Sequence, residues 1–290
     1  AGSKAAFVVQ VHGVGVGKDV WIVDRFEIKK SKRKDDDGER LWVNPGAYQE
    51  DWKLIMEEVL SKSYPLADGS GRMMSIKQTM CDSGGKEGVT ANAYDFVRWL
   101  RRGDDPEVST AEEQGEYEWI EGMGQRFLLV KGSSIKGAPR VSVSFPDSER
   151  KDRHAGARGE IPVIMMNTDM LKDTVDKMLD RTDAMGGRIN FPSWLDDSFY
   201  TELTVEVKDP AKGWLNPKKY RNESWDLLVY YIAATLTKLV GLEHLDWSNP
   251  PGWADEWDRN DLVFNPVEQT KPFEAVKKKS SLADLAANLA

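Results

Sequence analysis

Two extended segments flank a glycine-rich turn near the start of the chain, and that arrangement limits what the rest can build. Phe7 to His12 (FVVQVH) and Val20 to Ile28 (VWIVDRFEI) are rich in β-branched and aromatic residues, with Gly13, Gly15, Gly17 and Lys18 between them. Strand, glycine turn, strand predicts a β-hairpin in which glycine supplies positive φ. The same stretch invites a nucleotide-binding reading, which its spacing opposes. A phosphate-binding loop sets four residues between its outer glycines, follows Lys with Ser or Thr, and joins a strand to a helix. Here only Val14, Gly15 and Val16 separate Gly13 from Gly17, and Lys18 is followed by Asp19, whose carboxylate repels phosphate.

A chain of 290 residues with 40% apolar and 30% charged residues can bury a core in one large domain or two smaller ones. No apolar run approaches the roughly 18 residues of a membrane span, and no secretory signal is visible. The single cysteine, Cys81, excludes an intramolecular disulfide framework and suits a reducing cytoplasm. His12, His154 and His244 are scattered, so a structural zinc site is disfavoured and any metal is expected on carboxylates, as Mg²⁺ or Mn²⁺. The net charge of −8 argues against a general polyanion binder but leaves room for a local basic path. Lys29 to Lys34 (KKSKRK) adjoin Asp35 to Asp37, and Arg150, Lys151, Arg153 and Arg158 form a second cluster. The plain reading of both runs is a solvated loop.

Further along, periodicity predicts a short strand over Arg40–Val43. A helix is expected from about Gly46 to Ser63, with Trp52, Ile55, Met56, Val59 and Leu60 on one face. A strand over Ser75–Asp82, a helix over Thr90–Arg102, and strands over Arg126–Gly132 and Ile161–Asn167 follow, with a loose stretch at 133–160. A helix begins at Thr168 and runs to about Leu179. The strongest pattern is 222–240, where Trp225, Leu228, Val229, Ile232, Leu236 and Leu239 recur at spacings of three and four. A hairpin with a third strand, followed by strand–helix units, is the order of an α/β fold with a ribonuclease H-like mixed sheet flanked by helices. Near the end, Ser281 and Asp284 have capping-box spacing beside an apolar stripe of Leu282, Leu285 and Leu289.

Fold does not give function, so the acids carry the chemistry. Asp82 ends a strand before Ser83-Gly84-Gly85, where glycine leaves room for a substrate; the alternative is an Asp that bonds its own turn. Asp226 lies near the start of the long helix, where Asp226 and Glu223 also complement the helix dipole. Asp169, in the first turn of another helix, is a third candidate that the same dipole argument explains. Carboxylates from separate elements can hold two divalent ions about 3.5–4 Å apart, which activate water and stabilise the leaving oxygen of a phosphodiester.

At these residues the chain resembles the nuclease domain of the large terminase subunit of tailed bacteriophages, in its lambda-like branch. The matching blocks run in order: GVGVGKDVWIVDRFEI from Gly13, CDSGG (Cys81–Gly85), VKGSSIKGAP (Val130–Pro139), NTDMLKD (Asn167–Asp173), GRINFP (Gly187–Pro192), ELT (Glu202–Thr204) and RNESWDLLVYYIAA (Arg221–Ala234). The resemblance implies a metal-dependent endonuclease that cuts concatemeric double-stranded DNA during genome packaging in the host cytoplasm, with Mg²⁺ or Mn²⁺ as cofactor. It makes Asp82 and Asp226 the second and third catalytic acids and metal ligands, with Asp169 as a further ligand and Asn222 and Glu223 supporting them. Lys131, Lys136, Arg140, Arg150, Lys151, Arg153 and Arg158 are then expected along the DNA. The implied partners are an upstream ATPase domain, the small terminase subunit and the portal of the procapsid. Residues 1–245 are expected to form the nuclease domain, and 246–290 a tail that docks on the portal. The family's first acid falls at Ala1, within an AGS stretch that reads as a cloning scar, so cleavage by this chain is expected to be weak. Two other readings remain: another ribonuclease H-like nuclease of resolvase or transposase type, which prefers junctions or transposon ends, and a non-catalytic docking module.

Overall fold

The computed structural model describes residues 5–102, 122–146, 159, 161–182 and 186–266. Two compact units divide the chain, one of residues 1–62 and 76–251, the other of 63–75 and 252–290. Among the described residues no helix is long and apolar enough to cross a membrane.

In the larger unit the predicted hairpin is present as β1 (Phe7–Val14) and β2 (Val20–Ile28), antiparallel, with a register shift between Val11 and His12. The glycines at the turn do separate jobs. A Cβ on Gly13, in β1, would lie 3.3 Å from Val23, and one on Gly15, just past its end, 2.9 Å from the Trp21 ring, so two β2 side chains rest across bare backbone. Gly17 takes φ +81° at the turn and abuts Gly186. Asp19 accepts the Arg188 backbone N–H at 2.9 Å and its guanidinium at 3.0 Å. That use of Asp19 ties the turn to β11 (Ile189–Asn190), which adds to β2 in parallel.

The expected third strand of that sheet pairs elsewhere. Arg40–Trp42 (β4) pairs with β3, Lys30–Lys34, in its own ribbon. The basic run read as a solvated loop is therefore half anchored: alternation turns Lys30, Lys32 and Lys34 outward and Ser31 and Arg33 inward, onto buried Asp51. Asp51 also accepts the Asn44 backbone N–H at 2.7 Å. The chain at 44–48 is thus held in a turn, and the helix expected from Gly46 starts late. It is a 3₁₀ turn (Gln49–Trp52), one α turn (Lys53–Ile55) and a π turn (Met56–Leu60), yet its predicted apolar stripe is buried throughout.

A second sheet runs in the order β7 (Thr79–Asp82), β8 (Phe127–Gly132), β10 (Val163–Met166), β9 (Val141–Ser144). Strands β7, β8 and β10 are parallel and β9 is antiparallel to β10, placing a strand in the stretch expected to be loose. The sheet is buried on both faces by alternation. Leu129 and Val163 face a core with helix α1 (Val89–Arg102), while Val130, Ile164 and Met166 face α2 (Thr168–Leu179) and α4 (Glu223–Thr235). Helix α3 (Asp197–Leu203) and the ribbon β12 (Val207–Asp209)–β13 (Gly213–Leu215) lie between α2 and α4 in sequence. The long helix ends at Thr235 rather than 240. Thr235 and Thr237 donate to the carbonyls of Ile232 and Ala234, and Gly241 at φ +56° closes the turn, which leaves Leu239 exposed.

The predicted mixed sheet is therefore divided: β1 and β7 lie in different sheets, and the strands among the described residues form five small sheets. The strand expected over Ser75–Asp82 is divided as well. Met73–Ser75 (β6) pairs with β5 (Ser63–Pro65) and β14 (Val263–Phe264) in the smaller unit, and only Thr79–Asp82 joins the larger one. The stripe of Leu282, Leu285 and Leu289 lies outside the described residues.

Gly38 and Gly186 separate backbone strain from crowding. Both have φ near +80°, but a Cβ at Gly38 meets nothing within 4 Å, whereas one at Gly186 would stand 2.1 Å from the Gly17 carbonyl oxygen. Gly38→Ala should cost about 1 kcal/mol and Gly186→Ala about 3 kcal/mol or more, read from urea unfolding midpoints. Equal losses would show that the turn yields.

Candidate active site

Helix α4 enters the site on a cap supplied from outside its own sequence. Asn222 stands at its N-cap but makes no capping bond, because its amide donates instead to Glu206 at 2.7 Å and to Asp226 Oδ2 at 3.1 Å. Buried Glu202, at the end of α3, takes over the cap. Its Oε2 accepts the Ser224 backbone N–H at 2.8 Å and the Ser224 hydroxyl at 2.6 Å. The same carboxylate pairs with Arg25 on β2 at 3.0 Å and with Arg221 at 2.8 Å, while Arg221 also reaches Glu27.

That cap aims three groups of α4 along one side. Glu223, Asp226 and Tyr230 follow at spacings of three and four, so they stack over successive turns. Asp82 meets them from the end of β7. Its Oδ2 accepts the Tyr230 hydroxyl at 3.3 Å, while its Oδ1 accepts the Gly84 N–H at 2.8 Å. Asp82 therefore makes the local turn and faces α4 at once. Asp82, Glu223 and Tyr230 line a cavity of about 340 Å³ between β1 and β7, walled also by His12, Trp52 and Tyr231.

Burial is the main force on the acids. It raises the Asp226 pKa to about 6; Lys172 opposes the rise, and Glu206, Glu223 and Asp82 add to it. Glu223 is also raised, first by burial, with Arg221 opposing. Tyr230 is pushed up by burial and then by Asp82, Asp226 and Glu223, so it stays protonated and donates. Burial, and then the charge of Arg25, lowers His12 to about 3 and keeps its ring neutral, with its centroid 4.7 Å from that of Tyr231. Burial pushes the Cys81 thiol up to about 12, which removes it as a thiolate ligand.

The structure brings Asp82, Asn222, Glu223 and Asp226 to one place. Asp169 has a different engagement: its carboxylate accepts the Trp214 N–H at 3.1 Å, and a Cβ on Gly213 would lie 2.5 Å from it. No hydrogen bond or ion pair among the described residues joins it to Asp82 or Asp226. Lys131 and Lys136 are exposed, as DNA contacts require. Arg140 is held by Glu243 through two bonds of 2.6 Å. Arg150, Lys151, Arg153 and Arg158, and Ala1, lie outside the described residues. Sequence reasoning missed Tyr230, Lys172, Glu206 and Glu202 as parts of the site. Tyr230 was within reach, one turn from Asp226; Lys172, Glu206 and Glu202 come from other elements, and only the fold joins them.

As a metal site the donors are right in kind and short in number. Asp82, Glu223 and Asp226 offer only oxygen, which suits a hard divalent cation. No group of three or more His, Cys, Asp or Glu among the described residues is placed to hold one.

The larger unit is thus a mixed α/β domain in which acids meet from a strand end and a helix. The model of one family, the terminase large subunit gpA endonuclease domain, matches residues 4–247, and the chain belongs to that family. Searches of curated proteins and of solved structures gave no match.

The raised Asp226 has a stability consequence. Its folded carboxyl keeps a proton to about pH 6, the unfolded one only to about pH 4, so the folded state loses stability as pH rises through that window. Asp226→Asn removes this loss. It should stabilise the chain by about 1–2 kcal/mol above pH 7, allowing for partial exposure, and by nothing below pH 4. Urea unfolding at both pH values checks this; an equal effect at the two would refute it.

Proposed function

We propose that this chain is a metal-dependent DNA endonuclease domain of a viral packaging terminase, with Asp82 and Asp226 as its acids and Glu223 beside them. The observation that carries it is the gathering of these carboxylates, with Asp82 and Glu223 lining one cavity and Asp226 in their field, within the span that matches a nuclease family. Asp82 and Asp226, with Glu223 beside them, would be the oxygen donors this chain offers to Mg²⁺ or Mn²⁺, and a pair of ions is the reading we favour for phosphodiester hydrolysis. A bound ion supplies Lewis-acid stabilisation of phosphate charge. The chain's own groups set the geometry: Tyr230 steers one Asp82 oxygen, Asn222 one Asp226 oxygen, and Glu202 fixes the helix that presents both α4 acids. A ribonuclease H-like ancestry, with β1 beside β7, remains part of this proposal, as do the portal, the small subunit, an upstream ATPase domain and the host cytoplasm.

Plasmid nicking in Mn²⁺ tests the chemistry. Weak nicking is expected, falling more than tenfold with Asp82→Asn or Asp226→Asn and little with Asp169→Asn. Cleavage that survives both of the first two substitutions would overturn the assignment.

DNA contact is tested separately by salt. Lys131→Ala and Lys136→Ala should weaken duplex binding and lower the slope of log K against log salt by about one each. Arg140→Ala should do less, because Glu243 already neutralises it. Unchanged slopes for both lysines would remove them from the interface.

A further inference from the structure

Next to Asp226 stands a lysine that no step above uses. Lys172, in the second turn of α2, places Nζ 2.6 and 2.8 Å from the two oxygens of Glu206 and 3.8 Å from Asp226 Oδ1. Its side chain is 13% exposed and that of Glu206 only 5%. Glu206 also accepts the Asn222 amide, which bridges to the other Asp226 oxygen. Lys172 thus cannot swing into solvent, and 3.8 Å is too long for a hydrogen bond but short for a through-space charge.

We propose that Lys172 is a resident counter-cation for Asp226, held back by Glu206, against which a divalent ion must compete. Three features of the geometry support it. Lys172 is the cation paired with Asp226, in a pocket where Glu206, Glu223 and Asp82 bear on the same carboxylate. Its ammonium approaches Asp226 Oδ1, the oxygen that Asn222 does not contact, and so stands beside a donor that a metal ion would also need. Glu206 grips the ammonium with both oxygens, and this sets how far it can lean toward Asp226. Lys172 is therefore a positioning residue that sets cation affinity rather than a group that touches DNA.

This inference rests on the metal reading above, and the test keeps the two apart. Mn²⁺ affinity of the whole chain is measured at pH 8 by titration calorimetry and by the EPR signal of free Mn²⁺, with Asp82→Asn and Asp226→Asn as controls. Lys172→Met alone would strand Glu206 as a buried unpaired charge, so the informative variant is Lys172→Met combined with Glu206→Gln, which leaves net charge unchanged. That double variant should bind Mn²⁺ about tenfold more tightly. Glu206→Gln alone, which frees Lys172 to lean on Asp226, should bind more weakly. A purely structural role would weaken binding in both. If the folded double variant binds equally or more weakly while wild type binds through Asp82 and Asp226, Lys172 is not a competitor and the metal reading stands. If wild type shows no binding that depends on those acids, both fall.

Discussion

The carboxylate of Glu202 is the point on which the site depends. It joins Arg25 of the first hairpin, Arg221 of the connecting segment and the open backbone of Ser224 in one buried cluster. A helix N-terminus needs acceptors, and Asn222 would ordinarily supply one. Here its amide is turned toward Asp226 and Glu206, so the helix is capped by a residue from α3 and Asn222 is left for the site. Glu202 also needs the cations, since a carboxylate with 10% side-chain exposure is not stable alone. Capping, ion pairing and aim of the acids are thus one interaction, and loss of either arginine would disturb all three.

The acids themselves stand in a field that only partly balances. Asp226 has Lys172 near it, but burial and the surrounding carboxylates outweigh that charge and hold its pKa near 6. An arrangement kept for stability alone would not gather acids around a partly buried carboxylate, because each raises the free energy of the folded charged state. Functional sites are where such shifts cluster. The donors gathered here are all oxygen, and burial keeps the nearby Cys81 thiol protonated.

Elements with a clear period were legible from sequence. The hairpin, α1, α2 and the buried stripe of α4 all follow from spacing, whereas Asp82 and Asp226 were joined by the family resemblance. The failures share a cause, which is tertiary pairing. Lys30–Lys34 looked solvated because its outward lysines dominate the composition, while Ser31 and Arg33 turn in toward Asp51. Arg40–Trp42 has strand composition, but nothing in it says that it pairs with β3 rather than β2. Asp169 and Asp226 each stand in the first turn of a helix, and sequence gives no sign that the β12–β13 ribbon brings the Trp214 N–H to Asp169. Lys172 and Glu206 are thirty-odd residues apart in sequence, and no local signal couples them.

The glycine hairpin is where sequence and site connect. Gly13 and Gly15 let Val23 and Trp21 lie across β1, and Gly17 with Asp19 locks the turn to β11, so the sheet is built outward on the β2 side. The other edge of β1 is left facing the cavity, opposite β7. Two strand edges with no partner strand would normally close on each other. Here Asp82 and Glu223 line that gap, and α4 packs against both β1 and β7. The helix carrying Glu223 and Asp226 is therefore one of the elements that bridge the two sheets, beside the apolar core around Trp52 and Phe96, and a shift of β1 toward or away from β7 would have to move past the same helix. Cavity width and acid geometry are coupled through one rigid element, which is why the cap on that element matters more than any single contact inside the cavity.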